Sequence, residues 1–234
     1  MLLKPQCKAR RVRAAFVVLV ICLGLGSSFS YAQTSHVLLA NGNTQEWEQE
    51  SFSGQTRYET VKLDDQKVLR AVSQGAASGL ILAKQINLLE TPYLNWSWRV
   101  EEKLPQLDER SKNGDDYAAR LYVVIDGGLM AWRTQSLNYV WSSSQDKGEV
   151  WDNAYVGSKV KMLSVQGVKS QTHHWYSEKR NVYQDLITYV GDKGSDKANQ
   201  KAYQYIDVVA IMTDTDNSQS KAETYYGDIV FSAN

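Results

Sequence analysis

The stretch YLNWSWRVE, residues 93–101, alternates strictly between apolar and polar side chains. Leu94, Trp96, Trp98 and Val100 fall on one side of an extended chain, and Asn95, Ser97, Arg99 and Glu101 fall on the other. A helix would scatter these residues around its circumference, so the stretch is a strand with one side in a core. Working outward from it, short β-rich runs recur at 58–63, 68–72, 79–84, 117–125, 137–141, 159–165, 208–213 and 224–231. Turn signals separate them: Asp64-Asp65, Gly75, Asn113-Gly114, Gly127-Gly128, Lys147-Gly148 and Asp216-Asn217. Connections of this length leave no room for crossover helices. The pattern predicts a mostly β chain: a single antiparallel β-sandwich of jelly-roll type with one short helix. That helix is expected over 182–190, capped by Asn181, with Gln184 placed as in a capping box and Gly191 as its stop. The β-branched and aromatic content of the same segment also suits a further strand.

Ahead of these runs, residues 1–13 hold Lys4, Lys8, Arg10, Arg11 and Arg13 and no acid, residues 14–25 are almost wholly apolar, and Ser30-Tyr31-Ala32 offers a small-x-small cleavage site. This is the layout of a secretory signal peptide over 1–32, with an apolar core too short for a comfortable membrane span. The mature domain is then 33–234, periplasmic or secreted, with no membrane span. Both cysteines, Cys7 and Cys22, belong to the signal, so the mature chain has no disulfide, no thiolate nucleophile and no Cys-ligated zinc. The five basic residues leave as well, and the formal charge becomes about −5. A mildly acidic chain without Lys/Arg clusters speaks against nucleic acid as a partner.

Period-two alternation carried into the other runs collects polar side chains on one expected sheet face: Arg99, Glu101, Arg120, Tyr122, Asn138, Tyr226 and Asp228. At least one arginine is expected to pair with Asp228. Two readings stand for such a face, a plain solvated sheet surface or the ligand-facing side of the sandwich. Trp132, Trp141 and Trp151 sit in or beside loops 126–136 and 142–158, where they either stack on sugar rings or fold back over the core. Arg99, Arg120, Asn138, Trp141, Arg180, Tyr226 and Asp228 form the candidate ligand-binding set.

Familiar chemistries find little purchase. The mature chain has no Gly-x-Ser-x-Gly elbow and no nucleotide-binding glycine pattern, so no cofactor is expected. His173 and His174 are adjacent and point apart in extended chain, a poor chelating pair. Asp214, Asp216 and Ser218 match the first ligand positions of an EF-hand loop, but Gln219 replaces its glycine and Tyr225 its bidentate glutamate. The connection 214–221 therefore reads as a polar turn and no metal is expected; the alternative is a different calcium site completed by Asp115 or Asp116. Carboxylates are frequent enough to keep a two-acid glycosidase open. An Arg/Asn/Tyr cluster keeps a polysaccharide lyase open by residue type.

The motifs NWSWRVEEKLP, KNGDDYAARLYVV, LNYVWSS, EKRNVYQD and AIMTDTDNS followed by TYYGDIVF, spread from Trp47 to Phe231, resemble domain-of-unknown-function family 3047, a family of exported bacterial proteins. The resemblance implies a single β-sandwich domain and transfers no catalytic residue. The resulting expectation is an exported, non-catalytic binding protein for a glycan or other small polar ligand. The alternatives are a lyase or glycosidase on the same scaffold, or a structural envelope protein.

Overall fold

Leu94, Trp96, Trp98 and Val100 point into the space between two β-sheets, all of them nearly or wholly buried. The structure, a computed structural model, describes residues 34–234, and the signal peptide expected over 1–32 lies outside the described residues. The fold is a mostly β, jelly-roll-type sandwich, as the alternation requires. One sheet takes β1 (Ser35–Leu39), β3 (Arg57–Leu63), β4 (Gln66–Gln74), β6 (Tyr93–Glu102), β11 (Tyr176–Asn181) and β13 (Lys221–Ser232). Its order is β11-β6-β13-β4-β3, with β1 added on β13. The other takes β2 (Glu48–Ser53), β5 (Ala77–Asn87), β7 (Ala119–Ile125), β8 (Gln135–Trp141), β9 (Val150–Asn153), β10 (Gly157–Gln166) and β12 (Tyr205–Met212). Its order is β2-β5-β12-β7-β8-β10-β9. Pairing is antiparallel except between β8 and β10, which run parallel.

The core is aromatic at its centre. Trp96 meets Trp98 edge-on at 5.5 Å, Trp98 meets Trp141 at 6.2 Å, and Trp96 leans on Tyr139 at 5.2 Å. Each such pair adds about 0.5–1.5 kcal/mol beyond area burial. Trp141 is 2% exposed, so it is a core residue of β8 and not a loop platform. Its phase along the strand, with Leu137 and Tyr139, decides this.

The strands without a strong apolar signature are mostly at sheet edges. β2 and β11 read EQESFS and YSEKRN, with every residue of β2 exposed. The short helical segment is where the spacing places it. Asn181 accepts a hydrogen bond from the Gln184 N–H, Val182–Asp185 forms α1, and a π turn over Leu186–Val190 ends at Gly191. A second helix, α2 (Asp196–Tyr203), capped by Ser195, buries only Asn199 and Tyr203 and so shows no apolar stripe.

β13 carries the most consequential irregularity. Trp98 of β6 pairs with Tyr226 and Trp96 pairs with Ile229, so three steps of β13 oppose two of β6. The bulge falls at Gly227 and Asp228. A side chain at Gly227 would collide with the Ser97 hydroxyl, which would have to turn away to admit it. Tyr226 and Ile229 both point inward because of it, and Asp228 is turned out to solvent.

Candidate functional site

The candidate residues divide between opposite sides of the sandwich. Arg99 and Asp228 lie on the six-stranded sheet, while Arg120 and Asn138 lie on the seven-stranded one. The single polar face expected from alternation is therefore two faces, because β6 and β13 belong to a different sheet from β7 and β8. Arg99 pairs with Glu101 and, at 3.1 Å, with Asp64. Asp228 accepts from the Asn41 N–H at 2.8 Å, and no arginine pairs with it among the described residues. Arg180 chelates Asp185, which also accepts from the Tyr139 hydroxyl at 2.8 Å, a packing device at the end of β11. Tyr226 is wholly buried and donates to the Met212 carbonyl at 2.8 Å, inside the core and not on the polar face. The bulge after it inverts the expected phase.

Only Arg120 and Asn138 come together, in a cleft of about 410 Å³ on the outer face of the seven-stranded sheet. β7 supplies Arg120 and Tyr122, β8 Asn138, β9 Asn153, and the segment after β12 supplies Asp214 and Asp216. That segment is held by a reciprocal pair: Asp214 N–H donates to the Tyr117 carbonyl, and Tyr117 N–H donates to Asp214 Oδ1. Thr213 anchors it from the core side through the Ala118 carbonyl and the Tyr226 hydroxyl. Asn153 accepts from the N–H groups of Tyr155 and Val156, a local turn that raises Tyr155 at the rim. The Tyr155 hydroxyl then bonds Asn217 at 2.8 Å, fixing the ring. Phe52, 64% exposed, lines the cleft from β2, and Tyr155, 53% exposed, lines it from beyond β9, so the rim draws on both edges of the sheet.

Arg120, 4% exposed, is the centre of the site. Its Nη2 donates to Asp214 Oδ2 at 2.8 Å and to the Asp115 carbonyl at 3.0 Å, while Nη1 lies 3.8 Å from Asp115 Oδ2. The guanidinium stacks on Tyr117 at 4.1 Å and lies 5.5 Å from the Tyr122 ring. Its Nε is buried without a hydrogen-bond partner among the described residues. Burial opposes the charge, but attraction to Asp214, Tyr122 and Asp115 outweighs it and holds Arg120 well above the ordinary arginine range.

Four acids surround this one cation. Asp116 accepts from Asn217 and from the Ser218 N–H, and Asp115 accepts from Asn153 Nδ2. Burial pushes Asp214 up to about 8, with the Asp116 and Asp115 charges adding to it and Arg120 opposing. Burial and the neighbouring Asp116 also raise Asp216. Asp116, Asp214 and Asp216 offer carboxylate oxygens within 4.8 Å of one another, the spacing of a cation site. Yet Asp214 is already bound to Arg120 and Asp116 to backbone N–H groups, and the guanidinium repels a further cation. The turn expected at 214–221 is present over residues 216–219, but Asp214 is a buried partner of Arg120 and not a turn residue.

Phe52, Asn153 and Tyr155 were not legible as site residues: no periodic pattern marks them, and only the short Asn-Ala-Tyr-Val-Gly turn hints at structure there. A larger hollow of about 1060 Å³ lies on the six-stranded sheet, lined by Asn95, Ser97, Lys179 and Asp228 among others. It is an open polar trough. The concentrated chemistry lies in the smaller cleft.

The family model described as "Protein of unknown function (DUF3047)" matches residues 45–230. No curated protein matches the chain. Among solved structures, the family 11 carbohydrate-binding module of the cellulosomal cellulase Lic26A-Cel5E of Clostridium thermocellum aligns with TM-score 0.45 and 8% identity, over 86% of this chain and 95% of that one. A mutant of a family 29 carbohydrate-binding module aligns with TM-score 0.39 and 7% identity, over 86% and 93% of the two chains. A cellulase derived from Cel12A of Rhodothermus marinus aligns with TM-score 0.40 and 8% identity, over 85% and 100%. Similarity at this level says nothing about ligand or chemistry.

Proposed function

Because the chain belongs to the DUF3047 family, whose description assigns no activity, its function has to be argued from the Arg120 cleft, and we propose that it is a non-catalytic binding module for a glycan or other small polar ligand. The observation that carries this is the cleft itself. It combines a guanidinium, carboxylates that accept hydrogen bonds, and two exposed aromatic rings at the rim. Sugars present hydroxyls that donate and accept, together with apolar ring faces that stack on aromatic side chains, and a fixed ring such as Tyr155 costs little entropy on binding.

One observation favours a glycosidase: Asp214 keeps its proton to about pH 8 beside other acids, as a general acid would. Its position speaks for binding. Asp214 is 3% exposed, with one carboxylate oxygen tied to Arg120 and the other to the Tyr117 N–H, so neither is free to meet a glycosidic oxygen. The reading includes export with cleavage after Ala32. Among the described residues no helix is long and apolar enough to cross a membrane.

Calorimetric titration with a panel of oligosaccharides tests the proposal. At least one should bind, with no product released, and Tyr155→Ala should weaken it at least fivefold without a large loss of stability. A panel that gives no binding, or binding indifferent to Tyr155→Ala and Phe52→Ala, would sink it.

A further inference from the structure

Resting on that reading of the cleft, we infer that it selects uncharged sugars and discriminates against glycans carrying carboxylate, sulfate or phosphate. A lone buried arginine in a sugar site would ordinarily suggest the opposite, since a guanidinium fork matches a uronate with two parallel hydrogen bonds. Here the arm that both forks share is already spent. Nη2 gives its hydrogen bonds to Asp214 and to the Asp115 carbonyl, and Nη1 faces the Asp115 carboxylate. What remains is Nη1, held in the field of Asp115 at 3.8 Å, and a buried N–H at Nε. Both fork geometries, Nη1 with Nη2 and Nε with Nη2, need the occupied Nη2, so the guanidinium cannot grip a carboxylate at both oxygens without releasing Asp214.

Charge points the same way. Asp115, Asp214 and Asp216 line the cleft, Asp116 stands behind them, and Arg120 is the one cationic side chain in the lining. Lys112 adds a second positive charge at the rim, 5.3 Å over the Tyr155 ring. The acids outnumber these cations even when one of them holds a proton. An incoming anion meets a field of its own sign in a partly desolvated place, where charges interact more strongly than in bulk water. An uncharged sugar meets no such penalty. Its hydroxyls can donate to Asp216, partly exposed at the mouth, and accept from the part of the Arg120 guanidinium that lines the cleft.

Matched neutral and C6-oxidised oligosaccharides of one backbone make the test, titrated calorimetrically into the intact mature protein in EDTA. EDTA removes any divalent ion that could bridge a uronate to the acids. The neutral form should bind at least tenfold more tightly than its uronate counterpart, and the gap should narrow as salt rises from about 50 to 500 mM. Asp216→Asn, which removes one acid at the mouth, should cut the preference at least threefold. A uronate that binds as tightly as the neutral sugar, with Tyr155→Ala weakening both, would overturn the inference and leave the cleft as a glycan site. Binding of neither class would overturn the reading and the inference together.

Discussion

Lowering the pH should stabilise this protein where most proteins are indifferent or weaken. The group responsible is Asp214, buried against Arg120 with Asp115, Asp116, Asp216, Tyr117 and Tyr122 around it and its carboxyl pushed from 3.8 to about 8. The folded state then holds a proton that the unfolded chain releases near pH 4. Stability from this group is complete below about pH 4 and is lost as pH rises toward 8, with a slope of up to ~1.4 kcal/mol per pH unit. Integrated from pH 5 to pH 8, the loss is roughly 4 kcal/mol. For a domain of about 200 residues that corresponds to a fall in Tm on the order of 10 °C. Asp216 and Glu109, also raised, add in the same direction. Glu223 and Asp192 are lowered and act in the opposite sense, but a lowered carboxyl is ionised in both the folded and unfolded states across most of this pH window. Urea unfolding followed by tryptophan fluorescence from pH 4.5 to 9 gives the profile, and Asp214→Asn should flatten it. A wild-type midpoint that rises between pH 5 and 8 would refute the reasoning even if the variant fails to fold.

The reassigned residues give further expectations. Trp141→Ala should cost about 3–5 kcal/mol, whereas Trp132→Ala, at a 65% exposed loop position, should stay within ~0.5 kcal/mol in the same denaturation assay. In a double-mutant cycle, Arg120→Gln and Asp228→Asn should be additive within ~0.5 kcal/mol, since the two lie on opposite sheets; coupling above ~1 kcal/mol would contradict the topology. Millimolar calcium followed by EDTA should leave Tm unchanged, because Arg120 and backbone N–H groups already engage Asp214 and Asp116. A rise of several degrees abolished by Asp216→Asn would show that the three acids hold an ion.

Alternation at 93–101 made the sandwich legible because a residue's side on a strand follows from parity alone. Parity fails in two places for two physical reasons. It says which side of its own strand Arg99 or Arg120 occupies, but not which sheet that strand joins, so two outer faces read as one. It also assumes an unbroken pleat, and the bulge at Gly227 and Asp228 shifts the phase, sending Tyr226 into the core. The four acids were visible as carboxylates near turns, and Asp115 or Asp116 was nameable as a companion of Asp214 and Asp216. What brings them onto Arg120 is the reciprocal hydrogen bonding of Asp214, through its N–H and its carboxylate, with the Tyr117 backbone, a contact 97 residues apart in sequence. No local pattern encodes that contact.

The central claim, a polar-ligand site in the Arg120 cleft, is tested most directly by amide chemical-shift mapping of the protein during titration with a bound oligosaccharide. Perturbations should cluster on Arg120, Tyr122, Asn138, Tyr155 and Asn217, while Asn95, Ser97 and Asp228 on the six-stranded sheet stay still. Shifts concentrated on Asn95, Ser97 and Asp228 with the Arg120 cleft silent would contradict the account.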